Sequence, residues 1–194
     1  MLSDSQIPAP RVPITEKEGG LITREWFRFF NFVYEQIVRL TSFAYGTFSG
    51  FETTTWASNT TTRVSITDTA LSSGVSVASS QVTVANAGLY AINASFQLYN
   101  LNTTTAYTIA LWARVNGVDV PGSLRYVTVF GPGGSAQAYS THTLALTLQL
   151  PAAAYIEFYG NSFGGVAQLR TIAANTTITA PSAASILLNV TQIA

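Results

Sequence analysis

The 194-residue chain carries nine basic and nine acidic residues, a single histidine and no cysteine. Zero net charge without a basic cluster excludes a nucleic-acid footprint, and the lack of cysteine excludes disulfides and thiolate metal sites. No apolar run approaches the roughly 18 residues of a membrane span, so neither nucleic acid nor membrane is expected as a partner. Charge is unevenly spread: ten of the eighteen charged residues lie in Met1–Leu40, and no lysine follows Lys17. A free-standing soluble domain carries charge at about a quarter of its residues. The C-terminal part must therefore stay wet with Thr, Ser and Asn, or be covered by sister subunits.

Residues 1–20 read as an extended, Pro-rich docking arm. Pro8, Pro10 and Pro13 stand within six residues, which rules out helix and favours a polyproline-like strand. No apolar stretch of the signal-peptide kind occurs here. Ile7, Val12 and Ile14 alternate with the prolines, as suits an arm lying on another surface; a plain disordered tail is the competing reading.

Residues 21–45 are predicted to hold one amphipathic aromatic helix, over Leu21–Leu40. Thr23 is placed as N-cap to accept a bond from an orphan backbone N–H, and Glu25 suits the positive end of the helix dipole. Trp26, Phe30, Val33, Ile37 and Leu40 recur at spacings of 4, 3, 4 and 3, the seam of a short coiled coil. Phe27, Phe29, Phe32 and Tyr34 add apolar surface off that seam. So much aromatic surface must pack against something: the chain's own β domain, sister helices or a larger assembly.

From about Phe48 the hydrophobic period changes to 2. Tyr90, Ile92, Ala94, Phe96 and Leu98 share one face of a strand, as do Ile109, Leu111, Ala113 and Val115 of the next. Asn116-Gly117 is a tight-turn signal. Leu144, Leu146, Leu148 and Leu150 alternate with Ala145, Thr147 and Gln149, and Pro151 ends that strand. Further strands are predicted at Tyr155–Tyr159, Val166–Ile172 and Ser185–Ile193, with shorter ones at Arg63–Ile66, Gln81–Ala85 and Leu124–Phe130. Eight to ten short strands with polar turns argue for a mainly β, antiparallel sandwich, with the jelly roll as leading form.

Several segments resemble phage virion structural proteins of the head-decoration or head-fibre type, whose C-terminal jelly roll is similar to tumour necrosis factor and complement heads. They are Gly88–Ile92, Ile109–Val118, Tyr155–Tyr159, and the ending Pro181–Ile186 with Val190–Ile193. Leu21–Phe30 resembles an N-terminal motif of the same particle proteins. Pro151-Ala152-Ala153-Ala154 departs from the Gly-Asp turn common there. The resemblance implies a tumour-necrosis-factor-like jelly roll over 46–194 and a homotrimer about a threefold axis. Inward aromatics would fill the joint, with Tyr90, Phe96, Tyr155 and Phe158 as candidates; Val33, Ile37 and Leu40 would join the helices.

Chemistry-bearing groups are sparse. His142 lies within the alternating strand, far in sequence from any carboxylate, so a triad is not expected. Glu52, Asp68, Asp119 and Glu157 could in principle supply a glycosidase pair, but nothing singles one out. Gly131-Pro132-Gly133-Gly134 lacks the lysine of a phosphate loop and reads as a turn. No catalytic residue, cofactor or metal is expected. The expectation is a non-enzymatic protein of the virion exterior, assembled in the host cytoplasm: a trimeric capsid decoration, cement or short head-fibre protein. Pro8, Pro10, Arg11, Val12, Arg24, Trp26, Phe27, Arg28 and Phe30 would dock it on the major capsid protein or another virion protein, with Trp and Arg as anchors. The competing expectation is a tail-tip or tail-fibre module that binds a host surface ligand through exposed aromatics such as Tyr99, Tyr107 or Tyr126.

Overall fold

The computed structural model describes residues 13–15, 21–41, 43–102, 104–131, 139–174, 177 and 180–194. The chain divides into two compact units, Met1–Phe43 and Ala44–Ala194.

In the first unit the helix α1 spans Arg24–Thr41, beginning directly after Thr23, where the N-cap was placed, and not at Leu21. The Thr23 carbonyl accepts the first helical bond, from the Phe27 N–H at 3.0 Å. Thr23 does not cap in the manner expected: its hydroxyl donates to the Pro13 carbonyl at 2.8 Å, while its N–H donates to the Ile14 carbonyl at 2.8 Å. Thr15 and Ile22 form an antiparallel bridge. The physical reason is local: the Pro13 and Ile14 carbonyls lie beside the helix start and take the donors of Thr23. Pro8, Pro10, Arg11 and Val12 lie outside the described residues.

The second unit is a two-sheet antiparallel sandwich. Its strands are β1 Tyr45–Gly50, β2 Thr54–Trp56, β3 Thr62–Arg63, β4 Asp68–Ser73, β5 Val75–Ala78, β6 Gln81–Val84 and β7 Gly88–Asn100. They continue with β8 Tyr107–Val115, β9 Val118–Asp119, β10 Arg125–Val129, β11 Tyr139–Leu150, β12 Tyr155–Phe163, β13 Ala167–Leu169 and β14 Ile186–Gln192. One sheet runs β2-β13-β7-β14-β1-β4 with β11 on the other side of β7. The second runs β10-β8-β12-β6-β5, with β3 on β12 and β9 on β8. This is a jelly roll. Its head begins at Ala44, so the expected helical segment up to residue 45 already contains the first residue of β1.

The core follows from the period-2 pattern. Tyr90, Ile92, Ala94, Phe96 and Leu98 of β7 face Ile109, Leu111 and Ala113 of β8 and Ile156 and Phe158 of β12 across the sandwich, all buried. Phe96 and Phe158 meet edge to face at 5.7 Å, an arrangement aromatic quadrupoles favour. The Asn116-Gly117 turn forms as expected: both residues have positive φ, 51° and 80°, the conformation that joins twisted strands in two residues. The Pro151–Ala154 turn closes with the Ala154 N–H on the Pro151 carbonyl at 3.2 Å and holds Ala153 at φ 59°.

Candidate functional site

Among the described residues, three surfaces carry the chemistry. The first is on α1. Phe27, Phe30, Tyr34, Ile37 and Val38 are exposed, and at 3.6 residues per turn they fall within about 100° of arc. They form one apolar stripe of the width used for packing. Trp26, Phe29 and Phe30 cluster, with ring centroids 5.6–5.9 Å apart. Trp26 and Val33 are half-buried, and Arg24 and Arg28 are exposed. The expected seam therefore straddles two surfaces: Phe30 and Ile37 are in the exposed stripe, Trp26 and Val33 beside it. Leu40 lies in the helix.

The second surface is the outer face of the β7 sheet. Register places outward residues in rows across strands β11, β7, β14 and β1: Thr143, Ser95, Leu187 and Ser49; Ala145, Asn93, Asn189 and Thr47; Thr147, Ala91, Thr191 and Tyr45. None is charged. Among the described residues charge returns at the margins, at Asp68 opposite Ser49 on β4 and at Arg170, whose guanidinium lies 4.4 Å from the Tyr99 ring centre. Small hydroxyl and amide side chains keep this face wet without fixing a charge on it. Thr47, for example, donates to Asn189 Oδ1 at 2.9 Å.

The aromatic residues expected at a trimer joint lie elsewhere, and this is a correction. Tyr90, Phe96 and Phe158 have no exposed surface in the single protomer, so they offer no area to a partner; they are the sandwich interior. Burial raises the Tyr90 phenol above its ordinary value, and its hydroxyl donates to the Asn86 carbonyl at 2.8 Å. Tyr155 is half-buried on the outer face of the other sheet. Tyr90, Phe96 and Phe158 share the core, and Tyr155 lies apart from them. Alternation showed which residues share a face but not whether that face meets the opposing sheet or a sister chain. The signal for the uncharged rows was present in the complementary positions of the same strands.

The third surface is the outer face of the β8–β12 pair. Glu157 is buried and accepts from Arg63 Nη1 at 2.8 Å and Gln81 Nε2 at 3.2 Å. Beside it Trp112 stacks on Tyr159 at 6.0 Å, and the Arg114 guanidinium lies 4.2 Å from the centre of the same Tyr159 ring. Asp119, brought across by the Asn116-Gly117 turn, accepts from Arg114 Nε at 2.6 Å and from Trp112 Nε1 at 2.8 Å, both on Oδ1. These bonds, Arg114's first, hold the Asp119 carboxyl below its ordinary value. Next to this cluster a concavity of about 300 Å³ is lined by Trp112, Asp119, Leu124, Tyr126, Asn161 and Phe163 among others. Sequence reading singled out Tyr126 but not Trp112 or Asp119, although Trp112 stands out of phase with Leu111 and Ala113. Of the other two tyrosines, Tyr99 packs on Tyr139 at 5.0 Å, and the Tyr107 hydroxyl accepts from Asn102 at 2.8 Å.

The four head carboxylates are each engaged. Besides Glu157 and Asp119, Glu52 accepts from the Ser65 hydroxyl at 2.5 Å and Asp68 from the Thr67 hydroxyl at 2.6 Å. His142 sits half-buried on the inward side of β11, opposite Phe96. Among the described residues no group of His, Asp and Glu could hold a metal ion, and no helix is long and apolar enough to cross a membrane. Of Gly131–Gly134, residues 132–134 lie outside the described residues.

No family model matches the chain, and no curated protein matches its sequence. Among solved structures it is similar to murine APRIL. The crystal structure at pH 8.5 superposes with a TM-score of 0.50 at 11% identity, covering 78% of this chain and 99% of that one. Those at pH 8.0 and pH 5.0 give 0.45 and 0.43 at 11% and 12% identity, with the same coverage. At such identity the likeness concerns fold alone: the head shares its jelly-roll fold with that structure.

Proposed function

We propose that this chain is a non-enzymatic structural protein of the phage virion exterior: a homotrimeric head joined through the uncharged face of the β7 sheet and docked by its N-terminal unit. The observation that carries the reading is the division of surface between the two units. The head presents three rows of uncharged residues on one sheet face, as suits a face depleted of charge at an interface core. The other unit presents an exposed apolar stripe, Phe27, Phe30, Tyr34, Ile37 and Val38, flanked by Arg24 and Arg28, the composition of interface anchors. The virion setting rests on the sequence resemblance of Leu21–Phe30 and of the strand motifs. Docking to the major capsid protein or another virion protein follows from it, with Pro8, Pro10, Arg11 and Val12 in the arm.

The test is assembly onto particles lacking the protein. Full-length chain is expected to bind and to label the particle head under immunogold. A chain without residues 1–20 is expected to stay trimeric and fail to bind; retained binding overturns the docking role. The second reading, a receptor-binding module at a tail tip, is favoured by exposed Tyr126 beside the aromatic concavity, and gold at the tail tip would select it.

A further inference from the structure

The concavity beside Asp119 combines features that specify a ligand class. Trp112 is held before any ligand arrives: its ring N–H is donated to Asp119 and its ring lies against Tyr159. Little side-chain freedom is left to lose on binding. Tyr126 and Phe163 stand 5.9 Å apart at 47°, both exposed, so two further ring surfaces border the same space. Asp119 is the one charged residue lining the concavity among the described residues. Its Oδ1 accepts both bonds, from Trp112 and Arg114, and a carboxylate has about four lone-pair sites, so Oδ2 remains able to accept from a ligand. The side chain is 64% exposed.

These groups select against most chemistries. An anionic ligand finds no cation among the lining residues. A cationic ligand gains little, because Arg114 already neutralises Asp119. A purely apolar ligand would strip water from the carboxylate without replacing it. What fits is a neutral molecule with an apolar face and several hydroxyl donors. The C–H face of a pyranose carries partial positive charge and meets the negative face of an aromatic ring, while its hydroxyls reach a carboxylate. We propose that this concavity is a binding site for a neutral saccharide, stacked on the Trp112 and Tyr126 rings and hydrogen-bonded to Asp119. At about 300 Å³ it is at the small end of ligand sites, so one site binds weakly, with Kd on the order of 1 mM. Several copies on one assembly multiply that affinity.

The inference deepens the receptor-binding reading of this surface, and it does not depend on where on the particle the protein sits. The experiment is saturation-transfer NMR on the full chain with methyl α-D-glucoside, methyl β-D-galactoside, methyl α-D-mannoside and N-acetylglucosamine, with N-acetylneuraminic acid as the anionic comparison. Tryptophan fluorescence is followed in parallel. At least one neutral probe is expected to bind and to perturb fluorescence. Tyr126→Ala, at an exposed position, is expected to weaken that probe about tenfold or more with an unchanged melting profile, and Asp119→Asn to weaken it as well. Absence of binding by every neutral probe overturns the site, as does preference for the anionic sugar or binding that Tyr126→Ala leaves intact. Particle labelling is unaffected by any of these outcomes, so failure here and failure of the virion reading are distinguishable.

Discussion

The indole of Trp56 fills the space that a side chain at residue 160 would need: a β-carbon on Gly160 would overlap Cζ2, Cε2 and Nε1 of the ring. Trp56 belongs to β2 of one sheet and Gly160 to β12 of the other, so this contact sets how closely the two sheets approach at that end. Gly160→Ala is expected to cost about 1–3 kcal/mol, the usual range for overpacking a filled core, read as a lowered urea midpoint with unchanged slope. Adding Trp56→Phe should recover part of the loss. A neutral Gly160→Ala would show that the ring moves aside freely.

Arg63 and Glu157 form a half-open ion pair: the arginine side chain is 39% exposed and the glutamate 5%. Breaking a fully buried pair costs roughly 3–5 kcal/mol, and solvent beside the arginine reduces this. Arg63→Met is expected to destabilise by about 1–3 kcal/mol. Glu157→Gln in the same chain should restore much of it, because the uncompensated charge is then gone. Equilibrium unfolding of the double-mutant cycle measures the coupling.

His142 gives the head a pH dependence of defined sign. Burial, and then the nearby Arg125 charge, hold its imidazole below the ordinary 6.5, and Nε2 is buried without a hydrogen-bond partner. The unfolded chain therefore binds a proton more readily than the folded one. Stability is full above the unfolded value and falls as pH drops below it toward the folded value. Denaturant midpoints between pH ~7.5 and ~5.5 should decline, and His142→Leu should flatten that slope. An equal slope in the variant would place the titration elsewhere.

Much of the sandwich was legible because its long strands alternate cleanly. Gly88–Asn100 and Tyr139–Leu150 bury one side only, and Asn116-Gly117 marks its own turn. The strands that went unread, Tyr45–Gly50, Thr54–Trp56, Asp68–Ser73 and Val75–Ala78, are short or rich in Thr, Ser and Gly. All of Asp68–Ser73 is exposed, so it shows no period at all; pairing with β1 makes it a strand. The aromatic concavity was illegible for another reason. Trp112, Asp119, Tyr126 and Phe163 come from four strands, and only cross-strand register brings them together.

Ala153 holds a left-handed conformation that costs a residue with a β-carbon about 1–2 kcal/mol. Ala153→Gly removes that strain but adds backbone freedom to the unfolded chain. The net expectation is a gain of about 0.5–1 kcal/mol, visible as a raised Tm. A loss would mean that the Ala153 methyl makes contacts worth more than its strain.

Leu187 lies on β14, an inner strand of the uncharged face, and is 51% exposed. Leu187→Arg introduces a charge that an interface could bury only at a cost of several kcal/mol. Sedimentation is expected to show protomers with an unchanged circular dichroism spectrum. A variant that remains trimeric would move the joint to another surface.

β14 lies between β1 and β7, and the Thr47–Asn189 bond on its border joins residues 142 apart in sequence. The ribosome makes both flanking strands long before the strand that fills the slot between them. Until Ile186–Gln192 emerges, the nascent head keeps an open gap, so the sheet closes late, by a long-range insertion, a slow kind of contact to form. Chains growing side by side on one message each carry such a gap, and the Ile186–Gln192 strand of a neighbour matches it. Assembly of this head is therefore exposed to strand exchange between copies, and dilution during refolding should favour correct closure over exchanged dimers.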